Sequence, residues 1–446
     1  MNILNKTYYY FIGAGGIGMS ALARYFNFLG KEVMGYDRIK TELTELLEKE
    51  GIRIHYTDDV QQIPAELTVD NTLVIYTPAV PMEHTEYQYF LNHGFTIQKR
   101  AEVLGEITDA TYGIAVAGTH GKTTTSSILG HILHDAGLES TAFLGGVLEN
   151  YQSNFLFKGN EITVSEADEF DRSFLKLSPK LAIITSMDAD HLDIYKDAAD
   201  FQQTFIEFSQ KVTEQLFVKK GLPIDNAITY GVEENADFDA VNIRIIDGFY
   251  HFDVQTKDQL YVDFTLKHPG KHNVENATAA IAVALYLNIP LEKIKQALEN
   301  FHGVKRRFNR WDFDGKVYID DYAHHPTELN ALIGSLKEMF PEKRILGVFQ
   351  PHLYSRTRDF MEDFAESLSV LDQLILLDIY PARELPIEGI TSEVLLDKIR
   401  SKEKEVASLS DALAKIQSKE FDVLVTAGAG NIDTLVQPIK TWLNEA

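Results

Sequence analysis

The amino-acid sequence predicts an α/β fold of three domains, each built around a sheet of mostly parallel strands. A strand-like run at 8–12 leads through a glycine-rich turn into a helical pattern, and the same order recurs at 114–137. Beyond residue 308, apolar runs alternate with helical stretches. Such alternation is typical of doubly wound sheets. We predict a Rossmann-like domain over 1–110, a central α/β domain over 111–307 and a second Rossmann-like domain over 308–446.

Composition limits the class of protein. The 446 residues are 45% hydrophobic, which is enough for two or three cores and indicates a multi-domain enzyme. With 42 basic and 66 acidic residues the net charge is -24, so most of the surface would repel nucleic acid. The chain has no cysteine, and its N-terminal residues lack the apolar length of a signal peptide or membrane span. We expect a cytoplasmic protein without nucleic-acid or membrane partners, either a monomer or a homodimer.

The first glycine-rich turn satisfies the G-x-G-x-x-G pattern of loops that hold a nucleotide diphosphate. Its residues are Gly13, Ala14, Gly15, Gly16, Ile17 and Gly18. The next strand, 32–36, ends at Asp37, where such units carry a ribose-binding acid. We count Thr77, in the turn after the strand at 73–76, with this site. A nicotinamide dinucleotide and a UDP-sugar both suit the pattern, but a second nucleotide loop further along argues against hydride transfer.

That second loop predicts a triphosphate site and makes the central domain a P-loop ATPase domain. Its residues are Gly118, Thr119, His120, Gly121, Lys122, Thr123 and Thr124. Glycines let backbone N–H groups face phosphate, Lys122 reaches the terminal phosphates, and a threonine hydroxyl ligates Mg²⁺. The strict pattern has glycine where this chain has Val116. A glycine-rich corner without a ligand is the alternative interpretation.

Acids follow two further strands of the central domain. Glu166, Asp168 and Glu169 follow one strand, and Asp188-Ala189-Asp190-His191 follows another. Carboxylates and one imidazole suit a cation that also bridges phosphates, although solvated acids at strand ends are equally expected.

Two segments of the central domain have less specific patterns. In 268–276, His272, Asn273 and Asn276 stand where a helix begins, and the amides either read an adenine edge or cap the helix. The runs 241–246 and 260–266 predict small antiparallel strands in an insertion or flanking sheet.

The C-terminal third begins after 301–308, which holds one glycine and the cations Lys305, Arg306 and Arg307, and which we predict to be a hinge. Two later strands are each followed by polar groups at a ligand-binding end. These groups are Asp321, Tyr322 and His324 after the first, and His352 and Arg356 after the second. Paired histidines and a forked guanidinium orient a substrate carboxylate, while a plain surface cation is the alternative for each arginine.

Together and in this order, these motifs resemble the Mur ligases of bacterial cell-wall synthesis, over essentially the whole chain. The motifs are Gly13 to Ser20, Gly118 to Thr125, Glu166 to Glu169, Asp190-His191, His272-Asn273 with Asn276, Arg306 to Phe308, Asp321 to Thr327 and Phe349 to Thr357. The resemblance implies that the first domain binds UDP-N-acetylmuramate and the second ATP. The third domain would supply the L-alanine site and close over both. The implied reaction joins L-alanine to the lactyl carboxylate through an acyl phosphate, in peptidoglycan precursor synthesis.

The resemblance also implies roles for single residues. Lys122 would hold the β- and γ-phosphates, Thr123 and Glu166 one Mg²⁺, and His191 a second. Asn276 would contact adenine, Asp321 the ribose and Arg306 or Arg307 the phosphates, while Tyr322 would touch substrate. The alanine pocket would be lined by His324, His352 and Arg356. The implied catalytic residues are Lys122, Glu166, His191, His324, His352 and Arg356.

This chain departs from the family pattern at three places. Leu353 stands where many members have a cation, which places carboxylate recognition on Arg356. The run 55–59 lacks a Gly-His pair, and 201–209 has no lysine of the kind that sister ligases carbamylate. The missing lysine fits the alanine-adding branch. The alternatives are a murein-peptide ligase, which adds a recycled tripeptide to the same sugar nucleotide, and a non-catalytic nucleotide sensor.

Overall fold

A computed structural model describes residues 3–188, 195–246, 249–382 and 384–445. Contacts divide the chain into two compact units. The first comprises 1–244, 251–266 and 274–302, and the second comprises 245–250, 267–273 and 303–446. Three sheets flanked by helices confirm the predicted α/β fold class. The exact domain boundaries stay a prediction.

The first sheet has five strands in the order β3-β2-β1-β4-β5, and every pair is parallel. The strands are β1 (Tyr8–Ile12), β2 (Glu32–Tyr36), β3 (Arg53–His55), β4 (Thr72–Tyr76) and β5 (Thr96–Lys99). The helices are α1 (Ile17–Phe28), α2 (Glu42–Lys49), α3 (Thr85–Asn92) and α4 (Arg100–Asp109). Strand order reverses between β1 and β4, and the turn that begins at Gly13 lies at this switch point, where doubly wound sheets bind ligands.

The second sheet has ten strands in the order β15-β14-β13-β12-β11-β10-β6-β9-β7-β8. The strands are β6 (Tyr112–Ala117), β7 (Ser140–Leu148), β8 (Ser153–Phe157), β9 (Ile162–Ala167), β10 (Leu181–Ile184), β11 (Gln215–Lys219), β12 (Ile228–Val232), β13 (Phe238–Ile246), β14 (Phe249–Thr256) and β15 (Leu260–Leu266). The helices are α5 (Lys122–Asp135), α6 (Ala198–Ser209), α7 (Lys271–Tyr286) and α8 (Leu291–Glu299).

The runs at 241–246 and 260–266, which we predicted to be strands of an insertion or flanking sheet, are strands of the central sheet itself. They lie in β13 and β15, which continue the central sheet, and β13 pairs with β12 in parallel. The reason is that β11 and then β12 each leave an open edge, and the next strand along the chain pairs with it.

Helix α1 packs the first sheet against the second within the first unit. The ring of Tyr25 contacts Phe143 and Phe155 edge-on, with centroids 5.4 and 6.3 Å apart. Beside it, buried Arg24 forms a two-pronged ion pair with Glu50 and donates to Asn154. These contacts hold the two glycine-rich loops on one compact body.

The third sheet has six strands in the order β16-β17-β21-β18-β19-β20, antiparallel only at β16. The strands are β16 (Asn309–Phe313), β17 (Lys316–Asp321), β18 (Ile345–Phe349), β19 (Gln373–Leu377), β20 (Glu403–Ala407) and β21 (Val423–Ala427). The helices are α9 (Pro326–Met339), α10 (Tyr354–Asp359), α11 (Met361–Leu368), α12 (Ser392–Lys398), α13 (Leu409–Gln417) and α14 (Val436–Glu445). Short 3₁₀ helices lie at Ile3–Asn5, Val60–Gln62, Phe170–Lys176 and Asn431–Leu435. In the described ranges, no helix combines the length and apolar character needed to cross a bilayer.

A buried carboxyl group interrupts the core of the first sheet. Glu86 is fully buried and accepts a 2.7 Å hydrogen bond from the hydroxyl of Tyr10, which also bonds the ring of His55 at 2.8 Å. Burial raises the pKa of Glu86 to about 7. A carboxyl whose pKa is raised on folding stabilises the fold below its unfolded pKa, and this contribution is lost as pH rises through the folded value.

Replacing Glu86 with glutamine is therefore expected to remove a pH dependence. Between pH 5 and 8, the free energy of unfolding of the wild type should fall by about 2 kcal/mol relative to Glu86→Gln. Burial lowers the pKa of His55 and His84. The contribution of His84 cancels in the difference, whereas His55 lies 3.3 Å from Glu86, so the comparison is repeated with His55→Gln in both proteins. Urea unfolding of both proteins at pH 5 and pH 8 measures the difference in their free energies of unfolding. A difference that does not change with pH would contradict the prediction.

Candidate active site

The backbone conformation of the loop between β6 and α5 suits the binding of an anion. Gly118 and Gly121 have φ values of 136° and 81°, in the region that favours glycine. Gly121 precedes the first residue of α5, and no side chain caps this helix. The N-terminal N–H groups of α5 and its dipole therefore face the loop without a competing side-chain acceptor, which suits phosphate.

Lys122 lies against its own loop and an acidic partner. Its ammonium donates to the carbonyl of Gly118 at 2.5 Å and to a carboxylate oxygen of Glu169 at 2.7 Å. Burial acts to lower the pKa of Lys122, but the attraction of Glu169 and Asp168 outweighs it and raises the pKa. The lysine is therefore charged and held beside the loop.

Sheet register brings the acids to this loop. Strands β6 and β9 are parallel neighbours, with Val116 opposite Glu166 and Ala117 opposite Ala167. Glu166 accepts from the backbone N–H of Gly145 at 2.6 Å and from the hydroxyls of Thr123 and Ser126, both at 3.2 Å. Burial raises the pKa of Glu166. A carboxylate and a threonine hydroxyl thus stand side by side at the start of α5, while Thr124, the next residue, is buried.

The turn after β10 forms the other side of the loop. The hydroxyl of Thr119 donates to the carbonyl of Asp188 at 2.7 Å, and the backbone N–H of His120 donates to Ser186 at 2.7 Å. Thr185 also bonds the carbonyl of His120. Asp190 and His191, which we predicted as metal-site residues, lie outside the described residues.

The amides at 273 and 276 have different surroundings. Asn276 accepts a 3.2 Å hydrogen bond from Thr125 in α5 and lies directly over Gly121. Asn273 is buried and donates to the carbonyl of Pro269 at 2.6 Å. Asn276 is therefore the amide that borders the phosphate loop, whereas Asn273 bonds back to the segment before α7. Their predicted contacts with nucleotide stay predictions.

Substituting Gly118 tests how closely the loop is packed. A Cβ atom there would overlap the hydroxyl of Thr185 and lie 2.8 Å from the nitrogen of Ser186, in addition to the unfavourable φ. Gly137 also has a positive φ, 87°, but open space around it. We expect Gly118→Ala to reduce the free energy of unfolding by about 2 kcal/mol more than the control Gly137→Ala. Equal losses in thermal or denaturant unfolding would contradict this.

The N-terminal glycine turn is held by backbone bonds to β2. The N–H groups of Gly13 and Ala14 donate to the carbonyl of Tyr36 at 2.8 and 2.9 Å. The N–H of Gly15 donates to Asp37 at 2.7 Å, so this acid caps the turn. Around it, Thr77 packs against Gly13, while Gly16 precedes α1 and Ile17 begins it. Gly18, in the first turn of α1, lies under the guanidinium of Arg100.

The second unit contains a separate polar cluster after β17. Asp321 accepts from the N–H groups of Phe308 and Ala323, both at 2.7 Å, and burial raises its pKa to about 6. The guanidinium groups of Arg306 and Arg307 lie over the ring of Tyr322, 5.2 and 5.1 Å from its centroid. Both arginines therefore converge on one aromatic ring beside Asp321.

Arg306 is held by two partners in the second unit, and His272 lies near Arg307. Arg306 donates to the carbonyl of Gly428 at 2.6 Å and pairs with Asp320 at 3.3 Å. Burial, together with the charge of nearby Arg307, lowers the pKa of His272 to about 4. His272 is thus neutral near pH 7, in keeping with a cationic neighbourhood.

The predicted amino-acid residues lie together at the ends of β17 and β18. The rings of His324 and His352 are 6.0 Å apart, and Arg356 lies 3.4 Å from Nδ1 of His352. Glu328 pairs with both His324, at 3.2 Å, and Arg307, at 3.6 Å. The structure thus brings together His324, His352 and Arg356, with a carboxylate behind them.

A strained backbone positions His352. Leu353 has a φ of 71°, which is unusual for a large side chain, and its N–H donates to the carbonyl of Tyr380 at 2.9 Å. The ring of His352 stacks on that of Tyr380 with an interplanar angle of 18°. The left-handed residue therefore turns the chain between β18 and α10 while the histidine stays packed.

Sequence reasoning did not predict the contacts of four side chains that organise these sites. Glu169 holds Lys122, Arg100 joins Gly18 to Asp168, Glu328 joins His324 to Arg307, and Tyr380 supports His352. Glu169 lies within the acidic motif after β9, whereas Arg100, Glu328 and Tyr380 belong to none of the motifs described above.

Comparison with known proteins gives the family. Residues 8–112 match the model of the Mur ligase family catalytic domain. Residues 116–284 match the Mur ligase middle domain, and residues 306–430 match the Mur ligase glutamate ligase domain.

Relatives of known name are similar over their full length. The chain is 52% identical over 448 residues to the UDP-N-acetylmuramate--L-alanine ligase of Flavobacterium johnsoniae, with 100% of each chain covered. It is 49% identical to the enzyme of the same name from Parabacteroides distasonis, covering 99% of this chain and 98% of that one.

Solved structures of similar proteins share this fold. The UDP-N-acetylmuramate-alanine ligase of Thermotoga maritima superposes with a TM-score of 0.84 at 28% identity, covering 98% and 99% of the two chains. A murein peptide ligase from Psychrobacter arcticus shares the fold, with a TM-score of 0.69 at 24% identity over 99% of each chain. The chain belongs to the Mur ligase family.

Proposed function

We propose that this protein joins L-alanine to the lactyl carboxylate of UDP-N-acetylmuramate and converts ATP to ADP and phosphate in doing so. The observation that carries the proposal is the loop before α5. Lys122, which begins this helix, is ion-paired to Glu169, and the start of the helix has no side-chain cap. The loop belongs to the same compact unit as the glycine turn at 13–18. The 52% identity to a full-length ligase of that specificity supports the choice of substrates. Because both nucleotides are made inside the cell, we place the reaction in the cytoplasm.

The chemistry explains why two nucleotide sites are needed. A carboxylate has no leaving group, so an oxygen of the lactyl carboxylate first attacks the γ-phosphorus of ATP and ADP leaves. The alanine amine then attacks the acyl carbon, the nitrogen loses its proton and phosphate leaves. Lys122 stabilises the charge that spreads over the transferred phosphoryl oxygens, and the N–H groups at the start of α5 bind the phosphates.

We propose Thr123 and Glu166 as the residues that hold Mg²⁺. Their oxygens lie 3.2 Å apart at the phosphate loop, and both are hard ligands that suit this ion. Within the described ranges, no cluster of three His, Asp or Glu side chains forms a metal site by itself. This arrangement suits an ion that takes most of its ligands from phosphates and water. When bound, Mg²⁺ neutralises phosphate charge. We assign His191, outside the described residues, to a second ion.

We propose that the second unit binds L-alanine. The guanidinium of Arg356 can donate two hydrogen bonds to the α-carboxylate. Beside it, the rings of His324 and His352 lie 6.0 Å apart. Burial lowers the pKa of His324, so its imidazole is neutral near pH 7 and leaves the charge to Arg356. Asp321, Tyr322, Arg306 and Arg307 are proposed to contact ATP.

Phosphate release tests the function. The purified protein is mixed with ATP, Mg²⁺ and UDP-N-acetylmuramate, and then with L-alanine, glycine, L-serine or the tripeptide L-alanyl-γ-D-glutamyl-meso-diaminopimelate. We expect release with L-alanine well above that with the tripeptide. Preference for the tripeptide would assign the murein-peptide activity, and no acceptor-dependent release would indicate a nucleotide sensor. Light scattering of the same sample distinguishes monomer from homodimer.

A further inference from the structure

Arg100 lies between the glycine turn at 13–18 and the loop after β9 in the first unit. It is the first residue of α4 and follows β5 directly, so it stands at the carboxyl edge of the first sheet. Its side chain is 24% exposed. A guanidinium in this position is open to a ligand and yet fixed by neighbours on two sides.

On one side Arg100 covers Gly18, the last glycine of the G-x-G-x-x-G turn. A Cβ atom at residue 18 would lie 2.5 Å from Nη1 of Arg100 and 3.1 Å from its Cδ. In many dinucleotide-binding folds the third glycine allows close packing of helix and strand. Here the missing side chain makes room for a cation against the turn.

On the other side Arg100 pairs with the loop after β9. Its Nη2 lies 3.3 Å from a carboxylate oxygen of Asp168, which is 41% exposed. The next residue, Glu169, holds Lys122 at 2.7 Å. A pair this long and this open adds little to stability, so the arginine is poorly explained as a structural ion pair.

The ligand proposed for this place is anionic, and Arg100 is the cation beside the glycine turn. Three acids, Glu166, Asp168 and Glu169, outnumber the two cations Lys122 and Arg100, so an anion here depends on direct hydrogen bonds from a guanidinium and not on the overall local charge. The proposed sugar nucleotide brings a diphosphate and a carboxylate. An arginine fork bonds two partners at once, so it can keep Asp168 while it binds a ligand oxygen.

We propose that Arg100 binds an oxyanion of the sugar nucleotide and holds it between the glycine turn and the loop of Asp168. This inference rests on the proposed function and adds a substrate-binding residue to it. The oxyanion belongs either to the diphosphate or to the lactyl carboxylate, and two ligands separate these sources. UDP-N-acetylglucosamine has the same diphosphate as UDP-N-acetylmuramate but lacks the lactyl group.

Calorimetric titration of both ligands, without ATP, into the full-length wild type and its variants tests the proposal. We expect Arg100→Ala to weaken UDP-N-acetylmuramate binding by about 10- to 100-fold. Arg100→Lys should recover part of the loss because it keeps the charge without the fork. If the diphosphate is the partner, UDP-N-acetylglucosamine weakens equally; if the carboxylate is, its affinity does not change.

Two controls separate ligand binding from a structural role. Lys99→Ala removes the neighbouring cation, which pairs with Asp171 at 3.3 Å, and should leave both affinities unchanged. Asp168→Asn breaks the ion pair but keeps Arg100, so binding should persist. A structural role predicts instead that Asp168→Asn weakens binding as much as Arg100→Ala.

Three results would overturn the inference. The first is wild-type affinity in Arg100→Ala, and the second is equal loss in Arg100→Ala and Asp168→Asn. If either occurs while the wild type binds UDP-N-acetylmuramate and releases phosphate with L-alanine, the proposed function stands and only the role of Arg100 falls. The third is a wild type that binds neither sugar nucleotide, which overturns both.

Discussion

Replacing Lys122 with methionine is expected to lower turnover roughly 100- to 1,000-fold. The ammonium is held at the loop by the carbonyl of Gly118 and by Glu169, where we propose that it contacts the γ-phosphate. Methionine keeps the length of the side chain without its charge. The measurement is phosphate release at saturating UDP-N-acetylmuramate, ATP and L-alanine.

Stability must be separated from catalysis in this experiment. Glu169 is only 2% exposed, so losing its cationic partner is expected to reduce the free energy of unfolding by about 3 kcal/mol. The double variant Lys122→Met/Glu169→Gln removes both charges and should recover stability without recovering turnover. Lys219→Met serves as a matched control, because Lys219 pairs with Glu275 at 3.0 Å elsewhere in the same unit. Near-normal turnover of Lys122→Met would remove this lysine from the mechanism.

Glu166→Gln is expected to reduce turnover by about 100-fold and to raise the Mg²⁺ concentration needed for half-maximal rate. Glutamine can still accept the 2.6 Å hydrogen bond from Gly145 through its carbonyl oxygen, so the fold is preserved. Because burial raises the pKa of Glu166, the neutral amide should not lower the melting temperature. Loss of activity at unchanged stability is therefore the predicted signature.

Ser126→Ala is the control for Glu166→Gln. Ser126 donates to the same carboxylate at 3.2 Å from the first turns of α5, but it is not proposed to hold the ion. Its removal should leave the Mg²⁺ dependence nearly unchanged. A Glu166→Gln protein with wild-type Mg²⁺ dependence would show that the carboxylate orders the loop and does not bind the metal.

Local sequence was enough to predict most of the elements that carry the two nucleotide loops. The strand at 8–12, the strand at 32–36 and the helix beginning after Gly121 are set by short-range patterns of apolar residues and glycine. The family resemblance is confirmed for the same reason, since its motifs are contiguous runs. The strand order of the central sheet was less predictable, because no local pattern within 212–267 indicates which open sheet edge its strands pair with.

The partners of the site residues were decided by tertiary structure. Strands β6 and β9 are distant in sequence but pair in parallel, so their carboxyl ends place Glu169 next to Lys122. In the same way, β5 ends where Arg100 can cover Gly18 and reach Asp168.

What the sequence determined by itself was the kind of chemistry, since glycine turns, a lysine and strand-end acids are readable one segment at a time. The tertiary structure alone decided which charge faces which, because the energy of an ion pair or a hydrogen bond depends on distances of a few ångströms. Only the order and register of the strands bring residues that are 47 or 68 positions apart to within such distances.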